Sequence, residues 1–311
     1  MDSEILDRLE AELTPGPLSA RPDGPLFHYT GAAGLHGILS GKVIWATDYR
    51  YLNDSVEVVT GERLLLEVAE ALSGDPRRAD VSRWLLREFI ARYPERRLTT
   101  VRDVFVASFS ERGDLLSQWR AYAGGAGGYS IGLSHIPTPA PTAAPDAKIG
   151  WDLIRCEYRE DVLRQQASER LGSLADRFGA EAHAHARDER DCYRLAGLFV
   201  PLLFRHTAVL ALHLKDVAFE EEREWRLVAV TTAHDPAVAL QYRFSPAGLV
   251  PYITLRLSEP ESSPLALSKV YVGPTQDPER ERSTAVTLLK RLGYRGQDIV
   301  VPSAIPLRER A

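Results

Sequence analysis

Residues Leu195 to Leu214 read "LAGLFVPLLFRHTAVLALHL". A run this apolar must be sheltered, either by lipid or by a large protein core. A membrane-spanning helix needs about 20 predominantly apolar residues, and Arg205, His206 and His213 interrupt this one. We read it as a buried core helix, kinked at Pro201. The chain can shelter it, because 311 residues of 44% hydrophobic character bury a full core in one large domain or two small ones.

The rest of the chain alternates less regularly. Residues 1–25 are expected to form an N-terminal helix and linker, and residues 26–311 a single domain with a helical insertion at about 160–214. Strand character falls on "FHYT", "KVIWAT", "DVFVASFSE", "YSIGL", "IRCEYR", "VAFEEEREWRLVAV", "AGLVPYITLRL", "SKVYVGP" and "DIVVPSAIPL". Helical periodicity falls between them: Gly31 to Leu39 with Thr30 as N-cap and Ser40-Gly41 as stop, then Asp54 to Leu72, Val81 to Arg92, and a terminal helix from Asp277. Strands come in clusters without βαβ alternation, so the fold class is α+β. The glycine-bounded helix after Thr30 is expected to return "KVIWAT" beside the first strand.

Charge and cysteines narrow the function classes. A net charge of -5 and a pI near 6.0 give no global basic field, so no strong general affinity for nucleic acid is expected. Cys156 and Cys192 show no CxxC or Cys/His spacing, which fits buried thiols in a reducing cytosol better than a disulfide framework or a structural zinc site. The acidic, amphipathic N-terminus does not read as a signal peptide, so a cytoplasmic location without a membrane partner is expected.

Three short segments carry candidate chemistry. In "FEEEREWR", strand geometry would put Glu222 and Glu224 on one face about 7 Å apart, with Arg226 next to them. The plain alternative is an edge strand decorated with charge, against which stand Phe219, Trp225 and the apolar "LVAV". In "ASFSE", Ser108 and Ser110 share a face, as either a site or a pair of turn formers. In "HYT", His28 and Thr30 share one face and Tyr29 takes the other, and a lone strand-end His is more often a structural hydrogen-bonder. Trp119 and Tyr122, three apart on a short helix, either cover one side of a pocket or pack a core. Asn53 and Asp54 either orient a site or, for Asp54, cap the next helix.

The order of these pieces, a His ending the first strand, Ser-x-Ser ending a middle strand and Glu-x-Glu late in the chain, resembles the ADP-ribosyltransferase superfamily. A second resemblance runs from Leu26 to Arg308, to a large family of mostly bacterial proteins sharing "HYT", "GILSGKVIWAT", "YLND", "SFSE", "QWRAYA", "FEEEREWR" and "PSAIPLR". That family supplies motif positions and not a reaction. The first resemblance implies a split, antiparallel or mixed sheet core and an enzyme that consumes NAD, as a toxin or antiphage effector would. It breaks the nicotinamide–ribose bond through an oxocarbenium-like state and passes ADP-ribose to a macromolecular acceptor that the sequence does not identify. By that resemblance Glu224 holds the ribose and stabilises the positive charge, and Glu222 faces the acceptor. His28 binds the adenosine ribose, Tyr29 or another aromatic packs near nicotinamide, and Ser108 and Ser110 fix the second ribose and brace Glu224. Thr30, Asn53, Trp119 and Tyr122 complete the walls, and no metal is required. Two other readings stay open. One is a nucleotide-sensing or protein-interaction module of the same fold; the other is a metal-dependent nuclease using Asp54, Glu57, Glu222 and Glu224.

Overall fold

The computed structural model describes residues 4–6, 8–9, 21–52, 55–96, 102–122, 127–137, 151–232, 238–245, 248–258, 263–294 and 297–306. Asn53 and Asp54 lie outside the described residues, as do most of the N-terminal linker and of the Pro-rich segment that starts at Pro137.

The helices are α1 (Ala32–Gly41), α2 (Ser55–Ser73), α3 (Asp80–Arg96), α4 (Leu116–Tyr122), α5 (Glu160–His185), α6 (Glu189–Thr207) and α7 (Pro278–Arg291). The strands are β1 (Leu26–Thr30), β2 (Val43–Asp48), β3 (Arg102–Ser110), β4 (Tyr129–Leu133), β5 (Trp151–Arg155), β6 (Glu224–Thr232), β7 (Gln241–Ser245), β8 (Gly248–Arg256), β9 (Leu267–Val272) and β10 (Val300–Pro302). Among the described residues these strands make one sheet, ordered β10-β9-β4-β1-β3-β2-β8-β7, with β6 on β3 and β5 beyond it. Every pairing is antiparallel except β9 with β10, so the architecture is α+β with a mostly antiparallel open sheet.

The sheet divides at β3. One edge of β3 pairs with β6 over its whole length, Arg102↔Thr232 to Ser110↔Glu224. The other edge is shared: β1 meets it only at Phe27↔Ser110, and β2 only at Thr47↔Val106 and Asp48↔Phe105. The expectation that "KVIWAT" returns beside the first strand is therefore corrected, because β2 pairs with β8 and β3 and stands across a gap from β1. Pairing partners are chosen over long sequence distances, and a short helical connection does not by itself select the neighbour.

Two apolar cores sandwich the sheet. On one face, α1 and α7 bring Leu35, Ile38, Leu39, Ala285 and Leu289 against Phe105, Phe109 and Ile253. On the other side, α2, α3, α5 and α6 form a helical core around Phe89, Phe178 and Phe199. A smaller cluster that includes Val58, Val104, Val106, Leu212 and Val228 joins this helical layer to the sheet. The apolar run from Leu195 belongs to the helical core. Its helix is long and apolar enough to cross a membrane, yet 69% of its most apolar stretch is buried inside the protein, and Pro201 sits within the helix without ending it.

Local differences from the sequence reading have local causes. Gly31, not Thr30, occupies the N-cap of α1 and makes no side-chain cap, and the helix stops one residue later than expected, at Lys42 in the left-handed region (φ 54). The segment Val217–Glu222 is a 3-10 turn, not a strand, capped by Asp216 accepting from the Ala218 amide and closed by Arg223 at φ 43. Three consecutive glutamates gain little from a sheet position, and the Asp216 cap gives the backbone an alternative. Strand β5 begins at Trp151, before the expected "IRCEYR". Strand β7 was not expected, since its free edge leaves Tyr242 and Phe244 in solvent and no buried face marks the sequence.

Candidate functional site

Ser108 lies on β3 between the single pairing with β1 and the short pairing with β2. Its carbonyl accepts a hydrogen bond from His28 Nδ1 at 2.9 Å, and the imidazole rests 5.6 Å from the Phe109 ring. Burial lowers the His28 pKa from its ordinary value, outweighing the Ser108 bond that raises it, and the nearby Arg243 charge lowers it further. The ring is thus neutral with the proton on Nδ1, which leaves Nε2 as an acceptor. A cavity of about 380 Å³ opens here, lined by His28, Thr30, Trp45, Ser108 and Tyr122 and walled by α1 at Gly34 and Gly37. A second cavity of about 140 Å³ adjoins it, lined by Tyr49, Tyr51, Glu224 and Arg226. The two share Leu52, Val106, Ser108, Tyr122 and Arg243 and so adjoin along the split in the sheet, forming a slot with His28 lining its larger part, Glu224 its smaller part and Ser108 both.

The acidic end of the slot is a buried charge network. Glu224 Oε2 lies 2.9 Å from Lys215 Nζ, and the Arg226 guanidinium donates to both of its oxygens at 3.3 Å. Burial would raise the Glu224 pKa, but Arg226 and Lys215, helped by the Ser108 hydroxyl, hold it down at about 2. Its backbone amide donates to Tyr158 Oη at 2.7 Å, which fixes the start of β6. Arg226 in turn donates to the carbonyls of Leu212 (2.9 Å) and Leu214 (3.3 Å) and to Glu57 Oε2 at 2.6 Å. Glu57 comes from the first turn of α2 and also accepts from the Asp216 amide. Burial keeps the pKa of Glu57 above its ordinary value despite Arg226. Lys215 itself is 2% exposed and lies 4.8 Å from the centre of the Phe219 ring.

The expected site residues divide between the slot and its supports. His28, Tyr29, Thr30, Ser108, Tyr122 and Glu224 line it, Tyr29 without turning its hydroxyl into it. Glu222 and Glu224 do not share a strand face, because Glu222 ends the 3-10 turn and Arg223 turns the chain; they meet instead on Lys215, at 3.3 and 2.9 Å. Ser110 is 2% exposed and serves the turn: its hydroxyl donates to the Glu222 carbonyl at 2.6 Å and accepts from the Arg112 amide. Tyr29 presents its ring to the opposite side from His28, where its hydroxyl donates to the Arg112 carbonyl at 2.7 Å and accepts from the Leu115 amide at 3.0 Å. Trp119 packs edge-on against Tyr29 at 4.7 Å, and its indole donates to Asp114, so of the α4 pair the inner residue joins a small core and Tyr122 reaches the slot.

Lys215 and Arg243 were not singled out from the sequence. Lys215 had little signal, since a lysine at the end of an apolar run ordinarily reaches solvent, and only its burial against Glu222 and Glu224 gives it a role. Arg243 had none, because it sits on the unforeseen β7. Among the described residues no three His, Cys, Asp or Glu side chains gather as a metal ion would need. Each of Glu57, Glu222 and Glu224 is instead bound to Arg226 or Lys215.

Residues 118–227 match the family model described as "Protein of unknown function (DUF2971)". The match begins in α4 and ends in β6, so it takes in Lys215, Glu222, Glu224 and Arg226. No curated protein and no solved structure matches the chain.

Proposed function

We propose that the slot binds NAD or a related nucleotide, and that the protein is an ADP-ribosyltransferase-like enzyme or NAD glycohydrolase. The observation that carries this reading is the meeting, along one split in an antiparallel sheet, of His28, Ser108 and Glu224, three residues far apart in sequence. His28 Nε2 accepts from a ribose hydroxyl. Glu224, ionised and braced by the Ser108 hydroxyl, faces the ribose carbon as the nicotinamide bond breaks and positive charge develops there. The tyrosines at positions 49, 51 and 122 flank that end and offer ring faces to nicotinamide. The ADP-ribosyl group then passes to water or to an acceptor. Incubation with NAD should release nicotinamide, and Glu224→Gln should reduce the rate by at least 100-fold while Ser108→Ala, which removes only the brace, reduces it less. Failure of the wild-type protein to bind or consume NAD refutes the proposal.

A second reading has its own support. Glu224 is already neutralised by Lys215 and Arg226, which reduces the field it can apply to a developing cation. In that case the same slot senses a nucleotide without consuming it. Calorimetry showing NAD or ADP-ribose bound at micromolar concentration, with no nicotinamide released, selects this reading over catalysis.

A further inference from the structure

Arg243 is the cation the charge network leaves out. It lies on β7, lines both cavities where they meet, and is close enough to His28 for its charge to bear on that ring. Among the described residues its side chain makes one hydrogen bond, from Nη2 to Thr47 Oγ1 at 3.1 Å, and no carboxylate pairs with it. By contrast Arg226, deeper in the same slot, has two carboxylates and two carbonyls. A partly buried guanidinium whose one partner among the described residues is a neutral hydroxyl has hydrogen-bonding capacity to spare, and a planar fork matches phosphate oxygens. Beside it Trp45, 46% exposed, stacks on Tyr252 at 4.5 Å and lines the larger cavity.

We infer that Arg243 is the anion-binding residue of the slot and that the ligand it takes is a nucleoside phosphate. Its phosphate groups lie on Arg243 at the junction of the two cavities, and its base lies against Trp45. This deepens the nucleotide reading and rests on it for the base and ribose contacts, while the anion site stands on the arginine alone. The geometry also sets the order along the slot: base and first ribose on the His28 side, phosphates at Arg243, and whatever follows the phosphates beside Glu224.

The test is equilibrium binding of ADP-ribose, inorganic pyrophosphate and adenosine to the full chain, with Arg243→Gln and Arg243→Lys as variants and circular dichroism to check that each folds. The expected result is that ADP-ribose and pyrophosphate bind the wild type in a salt-dependent manner. Arg243→Gln should weaken both at least tenfold, Arg243→Lys should weaken them less, and adenosine should be indifferent to either change. If neither phosphate-bearing compound binds, or if Arg243→Gln binds them as the wild type does, the inference is overturned. ADP-ribose that binds through Arg243 in a protein that leaves NAD intact sustains the anion site and removes the transferase reading. NAD turnover unaffected by Arg243→Gln does the reverse.

Discussion

At the scale of single residues, the buried histidines give the clearest measurable consequence. His213 donates from Nδ1 to the Arg155 carbonyl at 3.0 Å, and its buried Nε2 has no hydrogen-bond partner among the described residues. Burial lowers its pKa to about 4, with the Arg226 charge acting in the same direction. The folded pKa lies below the unfolded value of 6.5, so the unfolded chain binds the proton more readily and stability falls as pH drops from about 6.5 towards 4. A displacement of that size corresponds to roughly 3 kcal/mol at most. His28 is shifted in the same direction. Thermal melting followed from pH 7 to pH 4 should show this loss, and His213→Gln should flatten the curve over that interval; an unchanged slope would show that His213 does not carry it. Single residues were also where the sequence was most readable. His28, Ser108 and Glu224 draw notice because polar groups near the ends of apolar strands need a reason, and the structure puts all three on the slot. Tyr29, Ser110 and Trp119 carry the same polar and aromatic chemistry, and only their packing partners separate support from site.

At the scale of elements, the 3-10 turn and the first residue of β6 decide where the carboxylates go. Arg223 holds φ at 43, a region that costs an ordinary side chain about 1 kcal/mol and a β-branched one more. Arg223→Val should therefore destabilise the protein by about 1–2 kcal/mol in urea unfolding, whereas Arg223→Gly should be neutral or slightly stabilising. An Arg223→Val protein as stable as the wild type would mean that the left-handed turn is not required. This turn was invisible in the sequence because "FEEEREWR" contains no glycine to announce it. The long elements were legible: α2 follows from periodicity and β3 from its β-branched and aromatic run, the stretch expected to be helical at about 160–214 holds α5 and α6 without the break between them having been marked, and the second half of "VAFEEEREWRLVAV" does become β6. The order of strands was not, since β1 and β2 are consecutive in sequence and the strand that comes between them, β3, arrives more than fifty residues after β2.

At the scale of the molecule, a buried ion pair joins the helical layer to the sheet beside the apolar cluster around Val106. Glu57 on α2 reaches Arg226 on β6 at 2.6 Å, with both side chains nearly closed to solvent. Arg226 keeps Glu224 and two carbonyls when Glu57 is lost, so Glu57→Gln removes one charge-assisted hydrogen bond and should cost about 1–2 kcal/mol in chemical denaturation. Glu67→Gln on the same helix, where the partner Arg164 is 41% exposed, should cost far less. Equal effects of the two substitutions would place the junction elsewhere.

The shared edge of β3 has a mechanical consequence. The strands on either side, β10-β9-β4-β1 and β2-β8-β7, are wings hinged on one spine, and across the seam they touch β3 through one residue pair on one side and two on the other. Helix α1 runs from one wing to the other as a strap. A molecule seated in the seam would touch His28 on one wing and Arg243 on the other, and so would act as a splint. On the nucleotide reading, the protein should be stiffest when the seam is full.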